Sequence, residues 1–137
     1  MVGGFILNRV RGYLLDNSKS NYIKTDKVKI LIGCPCYSGR VVVETVSSMV
    51  QAIRYHSILF PRHLLNLRFR VRNFTTYAAE KLCEEACEGY DYLLFWGDDM
   101  LPPIDCISRL LIHNKDIVAS MVFARSEPFA IDRKSVV

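Results

Sequence analysis

Between residues 27 and 123 the apolar residues change period six times, and this alternation limits the fold more than any single motif does. Val28, Ile30, Leu31 and Ile32 form a short run closed by Gly33 and Pro35, which suits a strand covered on both faces. From Val41 to about Ser57 the pattern turns helical, with Val42, Thr45, Val46, Met49, Val50 and Ile53 at three-and-four spacing and Pro61 at the exit. Residues 65–72 alternate strictly. Leu65, Leu67, Phe69 and Val71 fall on one face and Asn66, Arg68, Arg70 and Arg72 on the other, which predicts a half-exposed strand. A second helical stripe of Ala78, Ala79, Leu82, Cys83 and Ala86 stands opposite Glu80, Lys81, Glu84 and Glu85, an acidic run read as a solvated face, with Gly89 as the C-cap. Residues 90–96 are the most apolar strand candidate, broken at Gly97. After Pro102-Pro103 a third helix is marked by Ile104, Ile107, Leu110 and Leu111, and residues 117–123 read as a fourth strand. Strand and helix in turn predict an α/β fold: a three-layer α/β/α sandwich with a mostly parallel sheet and right-handed crossovers. Residues 1–26 show no period and read as a basic leader and linker, so the domain is placed at 27–137.

Composition fits one core and narrows the class. With 50% hydrophobic and 23% charged residues in a chain of 137, disorder and low-complexity architectures are excluded. The longest apolar stretch, 41–53, is interrupted by Glu44, Thr45, Ser47, Ser48 and Gln51, so no membrane span is expected. Phe5-Ile6-Leu7 is too short for a signal-peptide core, and Arg9 and Arg11 follow it rather than precede it. Five cysteines, an odd number, then predict reduced thiols and a cytoplasmic protein. Cys34 with Cys36 and Cys83 with Cys87 lack the spacing of a zinc knuckle, and the second pair reads as one face of a helix. His56, His63 and His113 also lack ligand spacing and read as structural, His113 at the end of the third helix.

Charge is distributed unevenly. Residues 1–72 carry twelve basic and three acidic side chains, whereas residues 73–109 carry two basic and eight acidic. No basic block is interleaved with stacking aromatics, so no nucleic-acid partner is expected. A pocket joining both signs fits better, with arginines toward phosphate and carboxylates toward a metal.

In parallel sheets the ligand lies beyond the carboxyl ends of the strands. Those ends hold Pro35, Tyr37, Ser38 and Arg40, then Arg72 and Asn73, then Asp98 and Asp99. Two adjacent carboxylates after Tyr92-Leu93-Leu94-Phe95-Trp96 would repel each other unless a cation sits between them. A hard, oxygen-liganded Mn2+ or Mg2+ is the natural partner, completing its shell with substrate phosphates balanced by Arg40 or Arg72. The simpler reading is that one of the two acids caps the third helix. Between Gly33 and Gly39 lie five residues where a P-loop has four, and Arg40-Val41 stands where Lys and Ser or Thr belong. No G-x-G-x-x-G follows a strand. Phosphoaspartate chemistry would need its acids after the first strand, which here ends in Cys34-Pro35-Cys36-Tyr37.

The segments VKILIGCPCYSG, VRNFTTYAAEKL, GYDYLLFWGDDMLPP and RLLIHNKDIVASMVFAR, spread over residues 27–128, resemble the nucleotide-sugar-binding half of glycosyltransferases of the GT-A fold, especially the family-two-like enzymes of phage and bacterial genomes. The resemblance implies a hexosyltransferase-like enzyme with a UDP- or GDP-sugar donor. It implies that Pro35 and Tyr37 hold the nucleotide and that Arg72-Asn73 lies over the nucleotide or diphosphate. Asp99 takes the last, metal-binding position of the D-x-D motif and Asp98 the middle one, while Gly97 stands where the first acid belongs. The family continues beyond its fourth strand into an acceptor half that carries the general base. Here only Glu127 and Asp132 follow that strand, neither in a base motif, so no general base is identified. The expectation is a donor-binding domain without its acceptor half: a fragment, a degenerate relative, or a chain completed by another subunit or a second copy. Two alternatives stay open at this point, a nucleotidyltransferase-like enzyme using the same acids and a non-catalytic nucleotide-binding or scaffold module.

Overall fold

A computed structural model describes residues 5–8, 27–71 and 74–120. Its elements, in chain order, are strand β1 (Phe5–Asn8), β2 (Val28–Cys36), helix α1 (Val43–Leu59), β3 (His63–Val71), α2 (Thr75–Gly89), β4 (Tyr92–Phe95), α3 (Cys106–Ile112) and β5 (Ile117–Ala119). They build one mixed α/β sheet in the order β3-β2-β4-β1-β5. β2 runs parallel to both β3 and β4, whereas β1 is antiparallel to β4 and to β5.

The alternating periods therefore translate into strands and helices as expected, with one addition. Residues 5–8 were read as leader, yet they insert as a short antiparallel strand between β4 and β5, Phe5 facing Phe95 on one side and Ala119 on the other. Four residues carry too little pattern to separate an inserted strand from an arm. The rest of the leader, with Arg9, Arg11, Lys19 and Lys24, lies outside the described residues, as do Arg72, Asn73, residues 121–123 of the fourth apolar run, Glu127 and Asp132.

β2 is central, and that position explains its composition. Ile30, Ile32 and Cys34 face α1 and α3, packing with Met49, Ala52, Leu94, Trp96, Ile107 and Leu110; Leu31 faces the other way, against Leu82, Ala86 and Leu93. Helices thus cover both faces of the sheet. α2 comes so close that a Cβ on Gly33 would lie 2.7 Å from Leu82 Cδ1, which accounts for glycine in the middle of a buried strand. At the amino edge Asp91 pins β4 to β2: its amide donates to the Lys29 carbonyl at 2.8 Å and its carboxylate accepts from the Lys29 amide at 2.9 Å.

Several details depart from the periodic reading. In α1 the buried residues are Thr45, Met49, Ala52 and His56, so the expected stripe is rotated and Val42, Val46 and Val50 stay exposed. The helix is apolar on more than one side, and packing selected the side with the small Ala52. Gly89 is the last helical residue of α2 rather than a left-handed cap, and Tyr90 ends the helix. The left-handed position that does close a helix is Asn114, φ 46°, just after His113 caps α3. Glu85 does not join the solvated acidic face. It bridges Arg68 Nε at 2.8 Å and Arg70 Nη2 at 3.0 Å on β3.

The α1–β3 connection is closed by a buried ring cluster. His56 Nε2 and His63 Nδ1 are 2.9 Å apart, and Phe60 stacks on both rings. His56 Nδ1 has no partner, so the tautomer with the smaller penalty has His56 Nε2–H donating to His63 and leaves a lone pair rather than an N–H unmatched. Burial, and secondarily His63, lowers the His56 pKa from 6.5 to about 4. The unfolded chain therefore binds a proton that the native chain refuses. Stability contributed here is complete above pH 6.5 and is lost as pH falls toward about 4, by no more than about 3 kcal/mol. In an NMR titration the His56 ring signals are expected to stay constant until well below their ordinary midpoint; a midpoint at 6.5 would contradict the buried pair.

All five cysteines are free thiols. Burial pushes the Cys34 and Cys106 thiols up to about 12, while Cys87 is exposed on α2. At about pH 8, iodoacetamide is expected to label Cys87 first and to leave Cys34 and Cys106 unmodified until denaturant is added. Peptide mapping that found Cys34 labelled as fast as Cys87 would show that β2 is not buried as described.

Candidate functional site

The chain leaves β2 outward through α1 to β3, then crosses back over β2 through α2 to reach β4. The direction of winding reverses between β2 and β4, and the crevice of an open α/β sheet forms at such a reversal. Both strand ends there carry residues singled out from sequence.

Pairing between β2 and β4 stops at Gly33, whose carbonyl accepts the Trp96 amide at 2.9 Å. Alternate residues of a strand direct their backbone groups to the same neighbour. The Lys29 and Gly33 carbonyls both meet the β4 chain, so Pro35 is turned to that side too, just past the last rung. A residue without an N–H is tolerated because no ladder bond is required there. Pro35 is thus a residue of the parting point.

Beyond it, residues 36–40 form a turn tied to itself. Gly39 N–H donates to the Cys36 carbonyl at 3.2 Å, with Gly39 at φ 74°, a conformation that favours glycine. The Arg40 carbonyl accepts from Cys36 Sγ at 2.9 Å and from Ser38 Oγ at 3.2 Å. Tyr37 is left 60% exposed and stacks against Phe74, itself 73% exposed, with ring centroids 5.7 Å apart. Arg40 is exposed as well.

The turn after β4 is equally specific. Trp96 is 1% exposed and donates Nε1–H to the Met100 carbonyl at 3.3 Å, while Met100 N–H donates to the Gly97 carbonyl at 3.3 Å. Trp96 is therefore a core residue. The returning Met100 side chain explains the glycine at the first position of the acidic motif: a Cβ on residue 97 would sit 2.7 Å from Met100 Cγ. An aspartate there would displace Met100. Asp98 and Asp99 are both half-buried on this turn. Neither caps α3, which begins at Cys106 after Asp105.

One hydrogen bond joins the two turns. Val42 N–H, at the start of α1, donates to the Asp98 carbonyl at 3.1 Å, so the segment carrying Tyr37 and Arg40 is held beside the segment carrying Asp98 and Asp99. Asp98 also reaches the Cys34 thiol electrostatically and, after burial and Cys36, helps to raise its pKa. In the protein without a bound ion that thiol stays protonated at neutral pH.

Of the residues expected at the site, Pro35, Tyr37, Arg40, Asp98 and Asp99 lie along this edge, and Arg72 and Asn73 lie outside the described residues. Phe74 was not anticipated, because its stacking on Tyr37 joins positions far apart in the chain. An exposed aromatic directly before a helix was the available signal. Among the described residues no three His, Cys, Asp or Glu side chains cluster as a metal cage. A pair of adjacent carboxylates on a turn instead suits Mg2+ or Mn2+, which take one or two carboxylates and leave positions for substrate phosphates.

No described helix is long and apolar enough to cross a membrane. Compared with protein-family models, with curated proteins and with solved structures, the chain matches none of them.

Proposed function

We propose that this chain is the nucleotide-diphosphate-sugar-binding domain of a GT-A-type glycosyltransferase, with Asp98 and Asp99 holding Mn2+ or Mg2+ against the diphosphate. The observation that carries the proposal is the Val42–Asp98 hydrogen bond, which fastens an aromatic and cationic turn to an acidic turn at the reversal point of the sheet. That is the charge order a metal diphosphate needs: a flat apolar group for the base, a guanidinium for phosphate, and carboxylates for the ion.

Tyr37, backed by Phe74, offers the nucleobase a flat exposed surface. Arg40 projects from the same turn and orients the diphosphate. The sequence resemblance adds Arg72 and Asn73 to that task. Asp98 and Asp99 hold the ion. When bound, it supplies Lewis-acid stabilisation of the departing nucleoside diphosphate. The tight turn of residues 97–100, closed by Met100 N–H to the Gly97 carbonyl, sets the backbone that carries both carboxylates before the ligand arrives, so less ordering remains at binding.

Calorimetry of the full chain with UDP, GDP and a panel of UDP- and GDP-sugars tests this reading. Binding is expected only with Mn2+ or Mg2+ present. Asp99→Ala is expected to weaken it by at least about tenfold, the loss of one charge-assisted contact. Thermal melting of the same variant, measured alongside, separates loss of a ligand contact from loss of the fold. Absence of binding with every nucleotide sugar, or full binding by Asp99→Ala, would refute the assignment.

A further inference from the structure

β3 leaves one edge of the sheet open, and that edge is complementary to itself. We infer that two copies of this chain join through β3, antiparallel about Leu67, into one continuous sheet with both α1 helices on the same face. The pairing is independent of what the carboxyl edge binds.

β3 is the last strand on its side of the sheet, and among the described residues β2 is its one strand partner. Sheet edges are normally blunted by proline, lysine, a bulge or short length. β3 has none of these. Its nine residues pair with β2 in unbroken register from Val28–His63 to Cys36–Val71. Arg68 and Arg70 are the charges that could guard the edge, yet both turn to Glu85 on α2, at 2.8 and 3.0 Å.

Backbone parity makes the edge a template. Alternate residues of a strand send their backbone groups to opposite sides. The Gly33 carbonyl meets the β4 side, so Ile30, Ile32 and Cys34 turn to β3 and bond there to the residues flanking Leu65, Leu67 and Phe69. The backbone groups of Leu65, Leu67 and Phe69 therefore point out of the sheet. His63 keeps the same parity, since its amide donates to the Phe60 carbonyl at 3.0 Å instead of to β2. A two-fold axis at Leu67 sets this residue opposite its counterpart, and Leu65 opposite Phe69 of the second copy, as pairs that exchange both N–H···O bonds.

The side chains select that register. Leu65 and Leu67 pack on the α1 face of the sheet, and alternation puts the exposed Phe69 and Val71 there as well. Ser48 ties one flank of α1 to the Pro102 carbonyl, so the opposite flank, with the exposed Val46 and Val50, lies over β3. Joining two copies covers both apolar strips. On the α2 face Leu64 stands opposite Arg70, and Asn66 opposite Arg68, of the second copy. Asn66 donates an amide N–H to the Tyr90 hydroxyl at 2.7 Å, and its carbonyl oxygen can accept from the facing guanidinium. An axis at Arg68 or Phe69 would instead oppose Arg68 to Arg68 or to Arg70, and an axis at Asn66 or Leu65 would oppose Arg62 to Arg70 or to Arg68.

The size is sufficient. A nine-residue strand is about 30 Å long, and the sheet and α1 layers together are about 20 Å deep, so each copy contributes roughly 600 Å2. The pair reaches the roughly 1,200 Å2 total at which stable specific interfaces begin.

Sedimentation velocity and amide hydrogen exchange of the full chain test the pairing. A species of twice 15.7 kDa is expected at roughly 100 μM, above the micromolar dissociation constants of weak interfaces. The Leu65, Leu67 and Phe69 amides are expected to exchange slowly there and to lose that protection on dilution, while those of Asn66, Arg68 and Arg70 stay protected throughout. Phe69→Lys and Val50→Lys, at exposed positions, should each raise the dimer dissociation constant at least about tenfold. Ile112→Lys, exposed at the end of α3, should leave it unchanged. If a lysine variant loses its circular dichroism signal, the exchange pattern of the parent chain decides. A monomer at that concentration, a dimer whose Leu65, Leu67 and Phe69 amides exchange as fast as in the monomer, or a dimer that both folded lysine variants leave intact overturns the inference.

Discussion

The last rung between β2 and β4, from the Trp96 amide to the Gly33 carbonyl, decides where this molecule has a crevice. Below it the two strands are locked by Asp91, by the parallel register from Ile30–Tyr92 to Gly33–Phe95, and by apolar layers on both faces. Above it β2 continues for three more residues with, among the described residues, β3 alone as partner, while the segment after β4 turns at Gly97. A sheet that kept pairing would have no room for a ligand at this edge. Pro35 and Gly97 each have a local reason to be where they are. One needs no donor toward the lost neighbour, and the other needs no side chain under Met100.

Rigid support beneath that opening comes from close approach rather than from polar bonds. Leu82 lies almost on the Gly33 backbone, and Trp96 fills the layer under the acidic turn with its one polar atom satisfied by the Met100 carbonyl. Removing buried area here would cost more than removing surface charge, since a large buried side chain contributes roughly 2–5 kcal/mol and an exposed ion pair at most about 1. The Arg68–Glu85–Arg70 bridge accordingly acts as a guide between α2 and the edge strand β3, with Arg68 half exposed to water.

Much of this was legible in the chain. The order of four strands and three helices followed from period alone, and the strand-end rule collected Tyr37, Arg40, Asp98 and Asp99 without any contact information. Burial within an element was less legible. Thr45, Met49, Ala52 and His56 won the inner face of α1 over an equally apolar Val42–Val46–Val50 line, because the choice depends on which residues let two surfaces approach, not on hydrophobicity summed along one chain. The inserted strand β1 was illegible for a different reason: four residues gain strand character from their neighbours β4 and β5, which sequence places far away. The stacking of Tyr37 on Phe74 and the two-fold bridging by Glu85 are likewise products of register.

The uneven charge along the chain acquires a spatial meaning once the register is known. β3 and β2 come from the basic half, α2 and the β4 turn from the acidic stretch, and the crossover through α2 lays the second over the first. Parallel register then puts like numbers of residues at one edge: Arg70 stands opposite Pro35 on β3, and Glu85 reaches it from the helix above. Part of the charge is consumed in this way inside the fold, between β3 and α2. The carboxyl edge carries Arg40 on one turn and two aspartates on the next, and the two turns are joined by a backbone bond that does not depend on their charge. A site fixed by its backbone can keep two carboxylates adjacent despite their repulsion, because the Val42–Asp98 contact and the 97–100 turn oppose the separation that the charges favour.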